Sequence, residues 1–285
     1  MFSHAGRSTI ALLVRLAFIF GLASALIYSL AIGPAQAAPQ TVARDAQALT
    51  LIASSLKALT GGVAVNDVIL QATANYVAGS DEESGTATLT ASGNQESLVQ
   101  LNLSGGSRQE IRNGPAGAWS GPDGTPHSMA IHNCWTDASW FFPALTLEAV
   151  AADPQTSVSY LGPDTSKGRP LLHLQVARVL PGQTSDVTAL ILRLSTMDIY
   201  LDPQSFLPLV LDLNTHPDTD ANRNIPVEIQ FGNFQSLSGG LVPLRVQRYL
   251  QGSLLLDLVV TNVSINSGVP QSVFTLPAAS TGGAQ

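Results

Sequence analysis

The sequence predicts an α+β fold: a curved antiparallel sheet, or half-barrel, of roughly ten or eleven strands, covered by two or three helices and preceded by an N-terminal signal segment. Three observations predict it. One segment of helical period opens the chain after its leader, and period-two segments separated by Gly, Asn and Asp turns fill most of the remainder. A single stretch in the middle, turn-rich and then helix-spaced, interrupts them.

Residues 1–37 read as a signal peptide. Arg7 and Arg15 are basic, Leu16 to Gly33 is apolar, and Ala35-Gln36-Ala37 is a small-residue cleavage site, with the first acidic residue only at Asp45. A retained anchor is the competing reading, because roughly 20 apolar residues cross a bilayer, although Ser24, Tyr28 and Ser29 dilute this run. No Cys lies near the end of the segment, which excludes a lipoprotein signal, and no twin-Arg pair is present. The expectation is export, cleavage before Ala38 and no stable membrane span afterwards. Residues 38–277 then form one domain, and 278–285, small and polar, a disordered tail.

Composition narrows the function. Losing the two leader arginines takes the formal charge from −7 to −9, and the remaining Lys and Arg are scattered. An acidic chain without a basic stripe gains nothing from counterion release, so nucleic acid is excluded as a partner and anionic membrane surfaces are disfavoured. Cys134 is the single cysteine, so no intramolecular disulfide can staple the fold. With 45% apolar and 12% charged residues, either the core is large or apolar surface is kept for a ligand.

The elements follow in order. Ala48, Leu51, Ile52, Leu56 and Leu59 recur at helical spacing between Asp45 and Gly61-Gly62. Period-two strands run through Val68–Ala74, Gly85–Ala91 and Leu101–Leu103, parted by turns at Gly79-Ser80-Asp81, Ser92-Gly93-Asn94 and Gly105-Gly106. Residues 114–126 are turn-rich, and Thr125–His132 fits a strand with His127 and His132 on opposite faces. Phe142, Leu145, Leu147 and Val150 place a helix within Ala138–Ala152, with Pro143 in its first turn. Strands are then expected at Val158–Leu161, Leu171–Val179, Ile191–Leu201, Leu207–Leu213, Ile225–Phe231, Val242–Leu250 and Leu254–Val263. Leu171-Leu172 and Leu254-Leu255-Leu256 are apolar on both faces, so that part of the sheet needs a second cover or curls around something.

The C-terminal third resembles a known family. Asp198-Ile-Tyr-Leu-Asp202-Pro203 followed by Leu207-Pro208, Phe231-Gly-Asn-Phe234 with Gly240-Leu-Val-Pro243-Leu-Arg245, and Asn262–Asn266 leading to Phe274-Thr-Leu-Pro277 are similar to hairpins of the outer-membrane lipoprotein carrier-like proteins of the bacterial envelope. The resemblance implies a periplasmic half-barrel over about residues 40–277, closed by helices around an apolar cavity that takes acyl chains. It also implies a buried arginine among aromatics, for which Arg108, Arg112, Arg169 and Arg245 are candidates.

Other constellations carry weaker chemistry. His127, His132, Cys134 and Asp137 could form a Cys–His nucleophile or a zinc site, but no nucleophile loop is spelled out, and a buried free thiol beside turn histidines explains them. Asp218-Thr-Asp220-Ala-Asn222 spaces oxygens like the opening of a calcium loop, yet Arg223 stands where Gly is needed and Ile229 where an acid is needed. The expectation is no catalytic residue, metal or cofactor. The expected function is non-enzymatic: sheltering a lipid or acyl-chain ligand, with an envelope protein as a possible partner. The expected apolar cavity draws on Val68, Leu70, Trp119, Trp140, Phe141, Leu172, Leu174, Val227, Ile229, Leu256 and Leu258. The alternatives are an envelope sensor or protein-binding module of the same fold, and a hydrolase or transferase using Cys134.

Overall fold

The computed structural model describes residues 42–277 apart from residue 238; the expected signal peptide and C-terminal tail lie outside the described residues. Helix α1 (Ala46–Thr60) starts where the Asp45 carboxylate accepts hydrogen bonds from the backbone N–H groups of Gln47 and Ala48. It ends at Gly61, whose φ of 64° supplies the left-handed cap. Its buried stripe of Ala48, Ile52, Ser55 and Leu59 follows the expected spacing.

Thirteen strands build one sheet. They are β1 (Asp67–Ala78), β2 (Asp81–Ser92), β3 (Glu96–Leu103), β4 (Gly106–Asn113), β5 (Ala116–Ser120), β6 (Pro126–Ser128), β7 (Thr156–Asp164), β8 (Leu171–Arg178), β9 (Met197–Leu201), β10 (Pro208–Thr215), β11 (Ile225–Leu237), β12 (Gly240–Leu250) and β13 (Ser253–Ile265). Strands β6 to β1 run in reverse sequence order to the middle of the sheet, where β1 pairs with β13, and β13 to β7 continue to the far edge. Every pairing is antiparallel. The two edges, β6 and β7, do not meet, so the sheet curls without closing into a barrel.

The chain between those edges turns into the concave side. A 3-10 turn (Ile131–Trp135) leads to α2 (Pro143–Ala152), which has proline at its start, where a missing N–H costs little. Pro143, Ala144, Leu145, Thr146, Leu147 and Val150 are all buried, as expected for a helix that is apolar nearly all round. Arg44 ties the two helices together. It forms an isolated bridge with Val158, and its guanidinium donates to the carbonyls of Val150, Ala151 and Asp153 at the end of α2 and of Thr156 at the start of β7. A cation on those orphan carbonyls also complements the helix dipole.

The core is the concave face. One row of directly paired residues runs Leu174, Ile199, Leu211 and Ile229 across β8 to β11, then Arg248, Leu256 and Tyr76 across β12, β13 and β1. A smaller cluster of Leu171, Tyr200 and Val210 lies apart from this main core. Its existence agrees with the two-sided apolar pattern of β8. Gly240 shows how closely the β11–β12 hairpin approaches α1, since a Cβ there would sit 2.9 Å from the Leu59 carbonyl oxygen.

Three local expectations are corrected. The sequence pattern assigns no strand to residues 107–113, where Arg108, Glu110 and Arg112 alternate as polar residues along β4, and the turn-rich stretch 114–126 contains β5. Ile191–Leu201 is not one strand. Thr184 caps a third helix, α3 (Ser185–Ser195), which buries Thr188, Ile191, Leu194 and Ser195, and only Met197–Leu201 is extended. Of Thr125–His132, only Pro126–Ser128 is strand, and His132 lies in the 3-10 turn.

Candidate functional site

An apolar cavity of about 320 Å³ opens on the concave face. Its lining comes from strands and from Trp140: Tyr76, Val99, Leu101, Trp119, Leu250, Leu255 and Leu256 supply apolar surface, with Arg108, Glu110 and Arg248 among them. The backbone explains the paired leucines. Arg248 opposes Leu256 while Tyr249 opposes Leu254, so Leu255 is an extra residue in the ladder. Such a bulge re-aims side chains, and both Leu255 and Leu256 reach the cavity.

Two arginines stand over aromatic rings here. Arg108 lies 4.7 Å from the Tyr76 ring centre and forks onto Glu83 at 2.6 and 2.8 Å. The hydrogen bonds from Arg108 hold the Glu83 carboxyl below its usual range. Arg248 lies 4.9 Å over the Trp140 ring, and its nearest acid is Glu110, 3.9 Å from Nη1. Trp119 stacks on His127 at 4.4 Å and remains 41% exposed at the rim.

Of the residues expected to line a cavity, Trp119, Trp140 and Leu256 are brought together here. Val68, Leu70, Phe141, Leu174, Val227, Ile229 and Leu258 lie in the packed core, with Leu172 half-buried against it. Val99, Leu101, Leu255 and Arg248 were not anticipated. Arg248 had a legible signal, because it interrupts the alternation of Val242, Leu244, Val246 and Leu250. Among the arginines singled out by resemblance, Arg108 reaches the cavity, whereas Arg112 is buried and donates to the Thr136 carbonyl. Arg245 pairs with Asp257 at 2.7 Å on the surface, and Arg169 borders a separate polar depression.

That depression and its neighbour, about 520 and 450 Å³, are larger but polar. Lys167 Nζ sits 2.6 Å from Asp212 and 2.7 Å from Glu228, and His173 sits 2.8 Å from Asp198. Charged groups dominate both depressions, although Leu213, Val227, Leu171 and Phe231 also border them and Asp212 Oδ1 is buried without a partner among the described residues.

The Cys134 neighbourhood does not assemble a nucleophile. The thiol is buried, its contact is the Ala130 carbonyl, and burial pushes it above its ordinary value; an activated thiolate needs the opposite shift. His132 instead reaches the Pro217 carbonyl at 2.9 Å and meets His216 edge-on at 5.9 Å. Asn133 fastens this turn to β10, accepting from the His216 N–H and donating to the His216 carbonyl. In the 218–222 loop, Asp220 accepts from the Asn222 N–H and Asp218 from Asn133.

Asp137 is the buried titratable group of this region. Its Oδ1 accepts from the Ser139 N–H and hydroxyl, but its Oδ2 has no partner, and desolvation raises its pKa. The folded state therefore binds the proton more tightly than the unfolded chain, so this group's effect on stability becomes unfavourable as pH rises from about 4 through the raised folded value. Asp137→Asn keeps an acceptor for Ser139 and should raise the melting temperature at neutral pH but not at pH about 3. Melting curves across that range check it; equal shifts at both ends would contradict the assignment.

No family model matches the sequence, and no curated protein matches it. Among solved structures, a LolA superfamily protein from Nitrosomonas europaea is similar, with a TM-score of 0.50 and 11% identity over 80% of this chain and 97% of that one. A proposed outer membrane lipoprotein-sorting domain from Vibrio parahaemolyticus covers 80% and 96% at 11% identity and a TM-score of 0.48. A DUF1329 family protein from Desulfovibrio piger covers the same shares at 9% identity and a TM-score of 0.48. At such identities the likeness is one of architecture. The open curled antiparallel sheet, with α1 and α2 packed in its main core, is similar in architecture to that LolA superfamily protein.

Proposed function

We propose that this protein is a non-enzymatic, exported protein of the bacterial periplasm that shelters the apolar part of a lipid in the concave cavity. The observation that carries the reading is the cavity itself. About 320 Å³ falls at the lower end of the roughly 300–1,000 Å³ typical of small-molecule sites, which are mostly apolar with a few convergent polar groups. Val99, Leu101, Leu255 and Leu256 provide such a wall, and Arg108, Glu110 and Arg248 the polar groups. The likeness to the LolA superfamily fold is consistent with the reading. So is the raised pKa of Cys134, which gives no support to a thiol enzyme.

The test is direct binding. The purified domain should take up a fluorescent fatty-acid analogue saturably at micromolar concentration, and an unlabelled fatty acid should displace it. Absence of saturable uptake would return the protein to a scaffold or protein-binding role.

A further inference from the structure

The polar wall of the cavity is unfinished. The Arg248 guanidinium makes no hydrogen bond to any described residue, although it carries five N–H donors. Its Nε is buried without a partner, and its one acidic neighbour, Glu110, stands at 3.9 Å, beyond hydrogen-bond reach. Trp140 is only 5% exposed, and its Nε1–H, also buried, has no acceptor among the described residues. Both side chains line the same cavity, and the guanidinium lies over the indole face. Orphaned buried donors are costly to a folded protein. Elsewhere in the same wall an acid meets the arginine, since Arg108 Nη1 and Nη2 both donate to Glu83. Unpaired donors on two residues that line one apolar cavity point to an acceptor that arrives with the ligand.

We infer that the ligand is an anionic amphiphile, with its oxyanion head held by the Arg248 guanidinium and the Trp140 indole N–H while its chain lies along Val99, Leu101, Leu255 and Leu256. The inference rests on the lipid-binding reading above and adds the head-group class to it. Carboxylate and phosphate share the required chemistry, a charged oxygen that accepts from a planar fork and from an indole N–H. Glu110, 3.9 Å from Arg248 Nη1, borders the same cavity.

The experiment compares a fatty acid, a lysophosphatidic acid and the methyl ester of the same chain, each displacing a fluorescent fatty-acid probe. The wild type should bind the two acids at least about tenfold more tightly than the ester, the scale of a hydrogen bond to a charged group. The acid that binds more tightly identifies the head. Arg248→Met, which keeps the stem that packs on Trp140, should bring the acid-to-ester ratio to about one. Trp140→Phe should lower the ratio by a smaller factor. Equal binding of acids and ester by the wild type would overturn the head-group assignment while leaving lipid binding intact. Binding of neither would overturn both. Because the wild-type comparison decides by itself, the inference stays testable even if a variant fails to fold.

Discussion

Replacing Phe141 by alanine should destabilise the domain by about 3–5 kcal/mol, the usual cost of emptying a fully buried aromatic site. Phe141 is 0% exposed, meets Trp140 edge-to-face at 5.5 Å, and stands two residues before α2. Its ring belongs to the core between the curled sheet and the helices. A void there cannot collapse easily, because the neighbouring side chains are held by a hydrogen-bonded sheet on one side and a nearly wholly buried helix on the other. Net stability of a domain is only about 5–15 kcal/mol, so the loss is a large share of the total. Phe141→Leu should cost distinctly less. Urea unfolding of both variants gives the answer; an alanine penalty under about 1 kcal/mol would mean that the site is not a closed core position.

Leu256→Trp should abolish most lipid binding while leaving the protein folded. Leu256 is packed against the core on one side and lines the cavity on the other. A larger ring in a closed core would cost about 1–3 kcal/mol, but here the neighbouring void of about 320 Å³ can accept it. The indole would then occupy space the acyl chain needs. The expected result is a loss of affinity of tenfold or more, equivalent to about 1.4 kcal/mol or greater, with a smaller change in unfolding free energy. Unchanged uptake by a folded Leu256→Trp protein would place the ligand outside this cavity.

These two sites illustrate how differently the sequence exposes core and cavity. Val68, Leu70, Leu174, Val227 and Ile229 are legible as buried because strict alternation marks one face of a strand. Alternation carries no information on whether that face meets a helix or a ligand. All five lie in the packed core, with Phe141 beside them. Conversely, β4 hid behind polar residues, since Arg108 and Glu110 look like a loop until Leu101 and Val99 are seen directly opposite them. Helix α3 hid behind Ile191 and Leu194, whose spacing of three suits a helix but lies against a β-rich background.

Local chemistry was sufficient for much of the fold. Helical spacing between Asp45 and Gly61 defined α1, Gly- and Asn-bearing turns defined the early hairpins, and the order of those elements led to an α+β half-barrel. Each of these rests on interactions within a few residues or between adjacent strands, which a linear pattern records. The tertiary structure alone decided that the sheet runs to thirteen strands without closing, and that α2 fills the concavity from between its two edges. It alone brought Trp140 from that insert beneath Arg248 of β12, residues more than a hundred positions apart. Whether a buried donor finds an acceptor depends on which distant strand curls over it, and no spacing along the chain encodes that.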